Sequence, residues 1–210
     1  MRRIAKTAPP LMYRDWLGLA NPNWTPTYAG LQNPEKAAIK SSLMDEQHFL
    51  CCYCCCRIDA SSSHIEHLVP QSSRRGQLDY NNFLASCPGE DDDAQNMTMG
   101  LHCGHHKGDR ELPVKPLDAG CEQRFSYDYN GAIRGTDADA DTSISVLGLD
   151  VDLLRQHRRS AMEGLLGTEF DDLDEPTLRI LLQALPVVDA NGQLPEYLPA
   201  LQFVIMSLVP

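Results

Sequence analysis

The chain has 210 residues, enough for one sizeable domain or two small ones and for a real buried core. Its formal net charge of −11 is awkward for a protein that grips nucleic acid unaided, because phosphate binding calls for a basic surface. No apolar run reaches bilayer length, and Met1-Arg2-Arg3-Ile4-Ala5-Lys6 lacks the apolar stretch of a secretory signal, so a cytoplasmic, thiol-reducing setting without membrane contact is expected.

The charge is unevenly placed. Residues 1–116 carry twelve Lys and Arg against thirteen Asp and Glu, a net of −1. Residues 117–210 carry six against sixteen, a net of −10. The acidity therefore belongs to the C-terminal part, where it would repel nucleic acid or dock a basic partner.

In chain order, residues 1–32 read as an irregular arm with a short helix around 11–19. Asn33 as N-cap, Pro34 at the first helical position and Glu35 in the first turn predict a helix that turns Ile39 and Leu43 inward and ends near His48. Residues 65–69 predict a short strand ending at Pro70. Residues 71–80, with Arg74-Arg75-Gly76 at the tip, predict an exposed loop, and 83–86 a second short strand. Residues 88–100 have the polarity of a surface insertion, and 104–110 predict a short helix stopped by Pro113. The alternation over 124–129, the Asn130-Gly131 pair and the return over 132–134 predict a hairpin. The acidic stretch 135–141 reads as a loop, followed by helices at 150–166, 176–185 and 197–208. No internal repeat or linker is evident. One domain is expected, with an N-terminal arm and lead-in helix (1–50), a Cys/His core (51–116) and a hairpin with acidic helices (117–210).

Seven of the eight cysteines and five of the seven histidines fall between residues 51 and 110. Core packing would scatter such residues, whereas metal chemistry gathers them. Cys51-x-x-Cys54 has the spacing of a zinc knuckle, in which a tight turn brings two thiolates to one tetrahedral ion; Cys52-x-x-Cys55 offers a second frame. Cys87 and Cys103 are the natural remaining ligands, which leaves Cys56 and Cys121 as ordinary buried thiols. Glu66-His67 pairs a carboxylate suited to a hard cation with an imidazole suited to taking a proton from water. In a regular strand these two neighbours point to opposite faces. His105-His106-Lys107 adds a second ligand and a cation for phosphate.

Competing motifs fail. A zinc deaminase needs Pro-Cys-x-x-Cys downstream of His-x-Glu, but here the Cys-x-x-Cys comes first. His-Glu-x-x-His is absent, which excludes a zincin protease. Asp137-x-Asp139-x-Asp141 begins like a calcium loop, but Thr142 and Gly148 stand where its glycine and glutamate belong.

The order Cys-x-Tyr-Cys, Glu-His-x-x-Pro, Asn-Phe-Leu-x-Ser-Cys and Cys-x-x-x-Lys-Gly resembles that of HNH endonucleases. The strings His-Ile-Glu-His-x-x-Pro-Gln-Ser and His-Cys-Gly-x-x-Lys-Gly-Asp, with the Cys-Glu-x-x-Phe-x-Tyr hairpin after them, are most similar to the PtuB-like HNH subunit of Septu-type and retron-associated anti-phage systems. The likeness covers roughly residues 1–165. It implies an α+β fold with a zinc-stabilised ββα-metal core, flanking helices and a helical C-terminal part. By the same resemblance His67 is the general base, Glu66 a ligand of a catalytic Mg²⁺ or Mn²⁺, and Asn82 the residue that braces the base's loop. His105, or else His106, is the second ligand of that ion, and Cys51, Cys54, Cys87 and Cys103 hold a structural Zn²⁺. Lys107, Arg110, Arg74 and Arg75 are the candidates for contacts to the nucleic-acid backbone. The implied partners are an SMC- or ABC-like ATPase subunit and a retron reverse transcriptase with its DNA–RNA element. A different class of function, a non-catalytic zinc-binding adaptor that docks through its acidic helices, has no need of Glu66-His67 beside the metal core.

Overall fold

The computed structural model describes residues 1–89, 101–167 and 173–209. Most of the expected surface insertion at 88–100 lies outside the described residues. The described elements alternate short helices with two small sheets, an α+β arrangement. Four helices and strands frame the Cys/His region: α1 (Leu11–Gly18), α2 (Glu35–Glu46), β1 (His64–His67) and β2 (Phe83–Ser86). They are followed by α3 (Cys103–Lys107), the hairpin β3 (Phe125–Tyr127) and β4 (Ile133–Gly135), α4 (Ala138–Leu147), α5 (Asp152–Leu166), α6 (Glu175–Ala184) and α7 (Leu198–Leu208).

Strands β1 and β2 pair antiparallel, with Glu66 opposite Leu84 and His67 opposite Phe83. Helix α2 packs on β2 through its buried Ile39 and Leu43, as the one-turn spacing of those residues requires. Asn33 does not cap α2: Pro34 is the residue before the helix, and no side chain accepts from its first turn. The buried amide of Gln47 extends the sheet, its Oε1 accepting from the Ala85 amide (2.8 Å) and its Nε2 donating to the Ala85 carbonyl (2.7 Å). The knuckle 51–56 folds back on itself, with the Cys51 amide donating to the Cys56 carbonyl (2.9 Å), and docks on β2 through Cys52 N to Ala85 O (3.0 Å).

The C-terminal part clamps this knuckle from the other side. The Tyr197 amide donates to the Cys55 carbonyl (2.8 Å), and the Arg57 guanidinium reaches the carbonyls of His48, Phe49 and Leu194. Helix α7 packs on β3 and α5, and α4 packs on β4 and α3. The buried apolar side chains form one continuous cluster from Met1 to Ile205.

Three further expectations are corrected. Strand β1 occupies His64–His67 rather than 65–69, because Leu68 onward turns away to meet Asn82. Helix α3 stops at Gly108 (φ 53°), well before Pro113. The acidic stretch around 135–141 is not a loop but the start of α4: Asp137 caps it, its side chain accepting from the Ala140 amide (3.0 Å). Asp139 and Asp141 lie in the first turn, where negative charge meets the helix dipole. No described helix is long and apolar enough to cross a membrane.

Candidate functional site

The thiols converge first. Cys51 Sγ lies 3.8 Å from Cys103 Sγ, and Cys54 Sγ lies 3.8 Å from Cys87 Sγ. The remaining pairs among these four sulfurs are within 4.8 Å. Four thiolates on one tetrahedral ion at about 2.3 Å would stand about 3.8 Å apart, so the Cys51/Cys54/Cys87/Cys103 set fits such an ion. Of the two frames, Cys51 and Cys54 are the pair whose sulfurs gather with Cys87 among the described residues. Cys55 and Cys103 both take left-handed backbone (φ 66° and 57°), a strain held where burial over-determines it. Hydrogen bonding from Cys103 pulls the Cys87 thiol below its ordinary value, while burial and the neighbouring thiols push Cys103 above it, so without an ion the cluster shares its negative charge unevenly.

Two members of this cluster were not anticipated. Cys56, expected to be a bystander, brings its sulfur within 4.8 Å of Cys51, Cys54 and Cys87. His102 is buried with its Nδ1 3.1 Å from Cys103 Sγ and 3.9 Å from Cys87 Sγ. The histidine next to a cysteine in His102-Cys103 was the available signal.

The second constellation sits on β1 and is split by strand alternation. Glu66 points to the α3 side. Its Oε1 accepts from the Tyr53 hydroxyl (3.0 Å) and pairs with Lys107 Nζ (2.9 Å), and its Oε2 lies 3.6 Å from His64 Nε2. Burial pushes the Glu66 carboxyl up, but His64, the Lys107 ammonium and the Tyr53 hydroxyl together hold it below the usual carboxylate range. His67 points to the opposite face, edge-on to Tyr28 (4.4 Å between ring centroids) and Phe83 (4.9 Å). Burial pushes its imidazole below the ordinary value, which favours the neutral ring.

The tautomer follows from the partners. His67 Nε2 is 3.2 Å from the Gln77 carbonyl, which can only accept, so Nε2 carries the proton. Nδ1 then presents its lone pair, toward the Gln71 amide at 3.2 Å. Asn82 holds the loop that supplies Gln77: its Oδ1 accepts from the Val69 amide (2.7 Å), and its Nδ2 donates to the carbonyls of Val69 (3.0 Å) and Gly76 (3.1 Å).

The structure separates the two candidate histidines of α3. His105 stacks on His64, with ring centroids 5.5 Å apart, at the edge of the Glu66 cluster. His106 turns toward α4, its Nδ1 3.0 Å from the Val146 carbonyl. One of the expected phosphate contacts is corrected. Lys107 is 2 % exposed and pairs with Glu66 while donating to the His67 carbonyl (3.0 Å), so its ammonium braces β1 instead of facing solvent. Arg110 is bound to the carbonyls of Lys107, His106 and Val146 and ties α3 to α4. Arg74 and Arg75 are exposed, and Arg75 pairs with Glu111 at 3.2 Å.

Gly104 faces Glu66 and His64. A Cβ there would stand 2.6 Å from Glu66 Oε2 and 3.0 Å from His64 Nε2, so glycine alone keeps the space between those atoms open. A carboxylate oxygen and an imidazole nitrogen facing such a cradle fit a divalent cation.

No protein-family model matches the sequence. Over 142 residues the chain is 29 % identical to a protein of Vibrio cholerae serotype O1 biovar El Tor named "Retron Vc95 putative HNH endonuclease". The aligned region takes in 62 % of this chain and spans 66 % of that protein, just under two thirds of its length.

Proposed function

We propose that the chain is a metal-dependent HNH endonuclease that hydrolyses phosphodiester bonds of nucleic acid, DNA in preference to RNA. The observation that carries this reading is the His67 imidazole. It is buried, neutral, locked with Nε2–H on the Gln77 carbonyl, and left with Nδ1 as its proton acceptor, one residue from a carboxylate that faces a cation cradle. The name of the Vibrio cholerae relative supports the same class. On this reading β1, β2 and α3 are the ββα-metal core, Cys51, Cys54, Cys87 and Cys103 hold a structural Zn²⁺, and the whole chain is one domain.

A divalent ion at Glu66 would polarise the scissile phosphate and stabilise charge on the leaving oxygen. The protein's own residues do the rest. Gln71 is exposed and occupies the place from which a water would donate to His67 Nδ1, so its displacement admits the nucleophile. His67 takes the proton as the water attacks in line. Asn82 keeps the loop, and with it Gln77 and the tautomer, in place. Lys107 fixes Glu66 and the β1 backbone together.

Few cations are free to follow a phosphate backbone near this site, since the Lys107 ammonium is buried against Glu66 and the exposed Arg110 guanidinium is hydrogen-bonded to backbone carbonyls. Arg74 and Arg75 remain, and the rest of the basic surface is assigned to a partner. An ATPase subunit of the SMC or ABC type, with a retron reverse transcriptase and its DNA–RNA element, is the assembly the resemblance suggests, in an anti-phage role.

His67→Ala should keep its zinc and its fold and lose about 10²–10⁴-fold in cleavage rate, the usual worth of a general base. Cleavage assays of purified parent and variant on DNA and RNA, with the divalent ion varied, check this. Parental rates from His67→Ala would sink the assignment.

A further inference from the structure

We propose that His64 is a ligand of the divalent ion assigned to Glu66, that the opening over Gly104 is where the ion sits, and that the site takes imidazole-seeking ions such as Mn²⁺ in preference to Mg²⁺. This rests on the endonuclease reading for the presence of the ion, and adds a nitrogen donor beside Glu66 and the site's selectivity.

Strand geometry supplies the pair. His64 and Glu66 are two residues apart on β1 and therefore share a face, while His67 takes the other. His64 Nε2 and Glu66 Oε2 are 3.6 Å apart, longer than a good hydrogen bond. Two donors at about 2.0–2.2 Å from a common ion stand about 3–3.6 Å from each other, which is the spacing observed. Gly104 faces both atoms and offers no side chain to fill the gap. The His105 ring stacked on His64 places a second imidazole at the rim.

Charge decides which ion. Glu66 Oε1 is occupied by Tyr53 and Lys107, so only Oε2 faces the cradle and the carboxylate can bind through one oxygen. The buried Lys107 ammonium 2.9 Å away offsets the carboxylate's charge. Mg²⁺ is held by charge and by hard oxygen donors, and among the described residues this cradle offers one oxygen, with its charge offset by Lys107. Imidazole nitrogens bind later first-row ions without needing net charge, in the order Mn²⁺ below Co²⁺ below Ni²⁺. Mn²⁺ also accepts the remaining oxygen ligands from water and phosphate.

The test is binding, independent of cleavage. Mn²⁺ is titrated into the zinc-replete full chain, and free Mn²⁺ is followed by electron paramagnetic resonance. The parent should bind one ion, released by Mg²⁺ only at about a hundredfold excess or more. His64→Ala should weaken Mn²⁺ about tenfold or more, and Gly104→Ala should abolish binding by filling the cradle, with circular dichroism and zinc content as in the parent. Should Gly104→Ala disturb the fold, His64→Asn, a substitution on a half-exposed strand position, carries the test. Parental Mn²⁺ affinity in a folded His64→Ala protein would overturn the ligand assignment. Release of Mn²⁺ by an equal concentration of Mg²⁺ would overturn the selectivity. Glu66→Ala distinguishes the two levels: if it loses the ion while His64→Ala does not, the endonuclease site stands without His64. If neither loses it, the assignment of the ion to Glu66 falls as well.

Discussion

At the scale of single residues, Asn82 carries more than its size suggests. Its amide satisfies both backbone groups of Val69 and the Gly76 carbonyl while 6 % exposed. Asn82→Ala would leave those groups buried without partners, so we expect a loss of about 2–3 kcal/mol in urea denaturation. On the proposed reading the cleavage rate should fall less than in His67→Ala, because the proposed base is displaced and not removed. Unchanged stability in the variant would show that the loop is held by something else. Much of this site is legible in the sequence, since Glu66, His67, Asn82 and the four converging cysteines all lie in strings that resemble a known family. What the strings do not show is depth. Lys107 reads as a surface cation, yet its long stem carries the ammonium under β1 to Glu66. Cys56 reads as surplus until the left-handed turn at Cys55 swings the chain back toward the other sulfurs.

Between elements, Asp150 joins the hairpin to the C-terminal helices. It accepts from the Ile133 amide at the start of β4 (3.0 Å) and from Arg155 of α5 through both oxygens (2.9 and 2.5 Å). Burial pushes its carboxyl up, but Arg155, the Ile133 amide and Arg158 hold it below the usual range. The folded state therefore binds this proton less readily than the unfolded chain does. The stabilisation is complete above the unfolded value near 3.9 and is lost as the pH falls through the lower folded value. Asp150→Asn should cost about 1–2 kcal/mol at pH 7, a figure reduced for the partial exposure of the pair. The gap between parent and variant in urea midpoints should close as the pH falls below the lowered folded-state value of Asp150. A gap that persists in acid would assign the effect to packing. The helices that the sequence predicts here, α5, α6 and α7, are those with long apolar periods. Helix α4 escapes because its first turn is acidic, and a run of aspartates has the same polarity at a helix start as in a loop.

For the whole molecule, the thiol cluster is the widest-reaching tie. It gathers the knuckle, the end of β2 and the start of α3, and the knuckle in turn anchors α7 through Tyr197. One bound Zn²⁺ per chain is expected, contributing on the order of 10 kcal/mol to folding, so chelation should unfold the core and Cys54→Ala should not fold. Metal analysis and circular dichroism with and without chelator check this, and a folded, zinc-free parent would refute it. The same tie has a consequence for synthesis. Cys51 and Cys103, whose sulfurs meet, are 52 positions apart, an interval of roughly 3–10 s at the usual pace of about 5–20 residues per second. Glu66 and His67 are made inside that interval. On the proposed reading, a nascent chain therefore holds its candidate hydrolytic residues for seconds before the last sulfur arrives to close the core around them, and a partly made copy is not yet a blade.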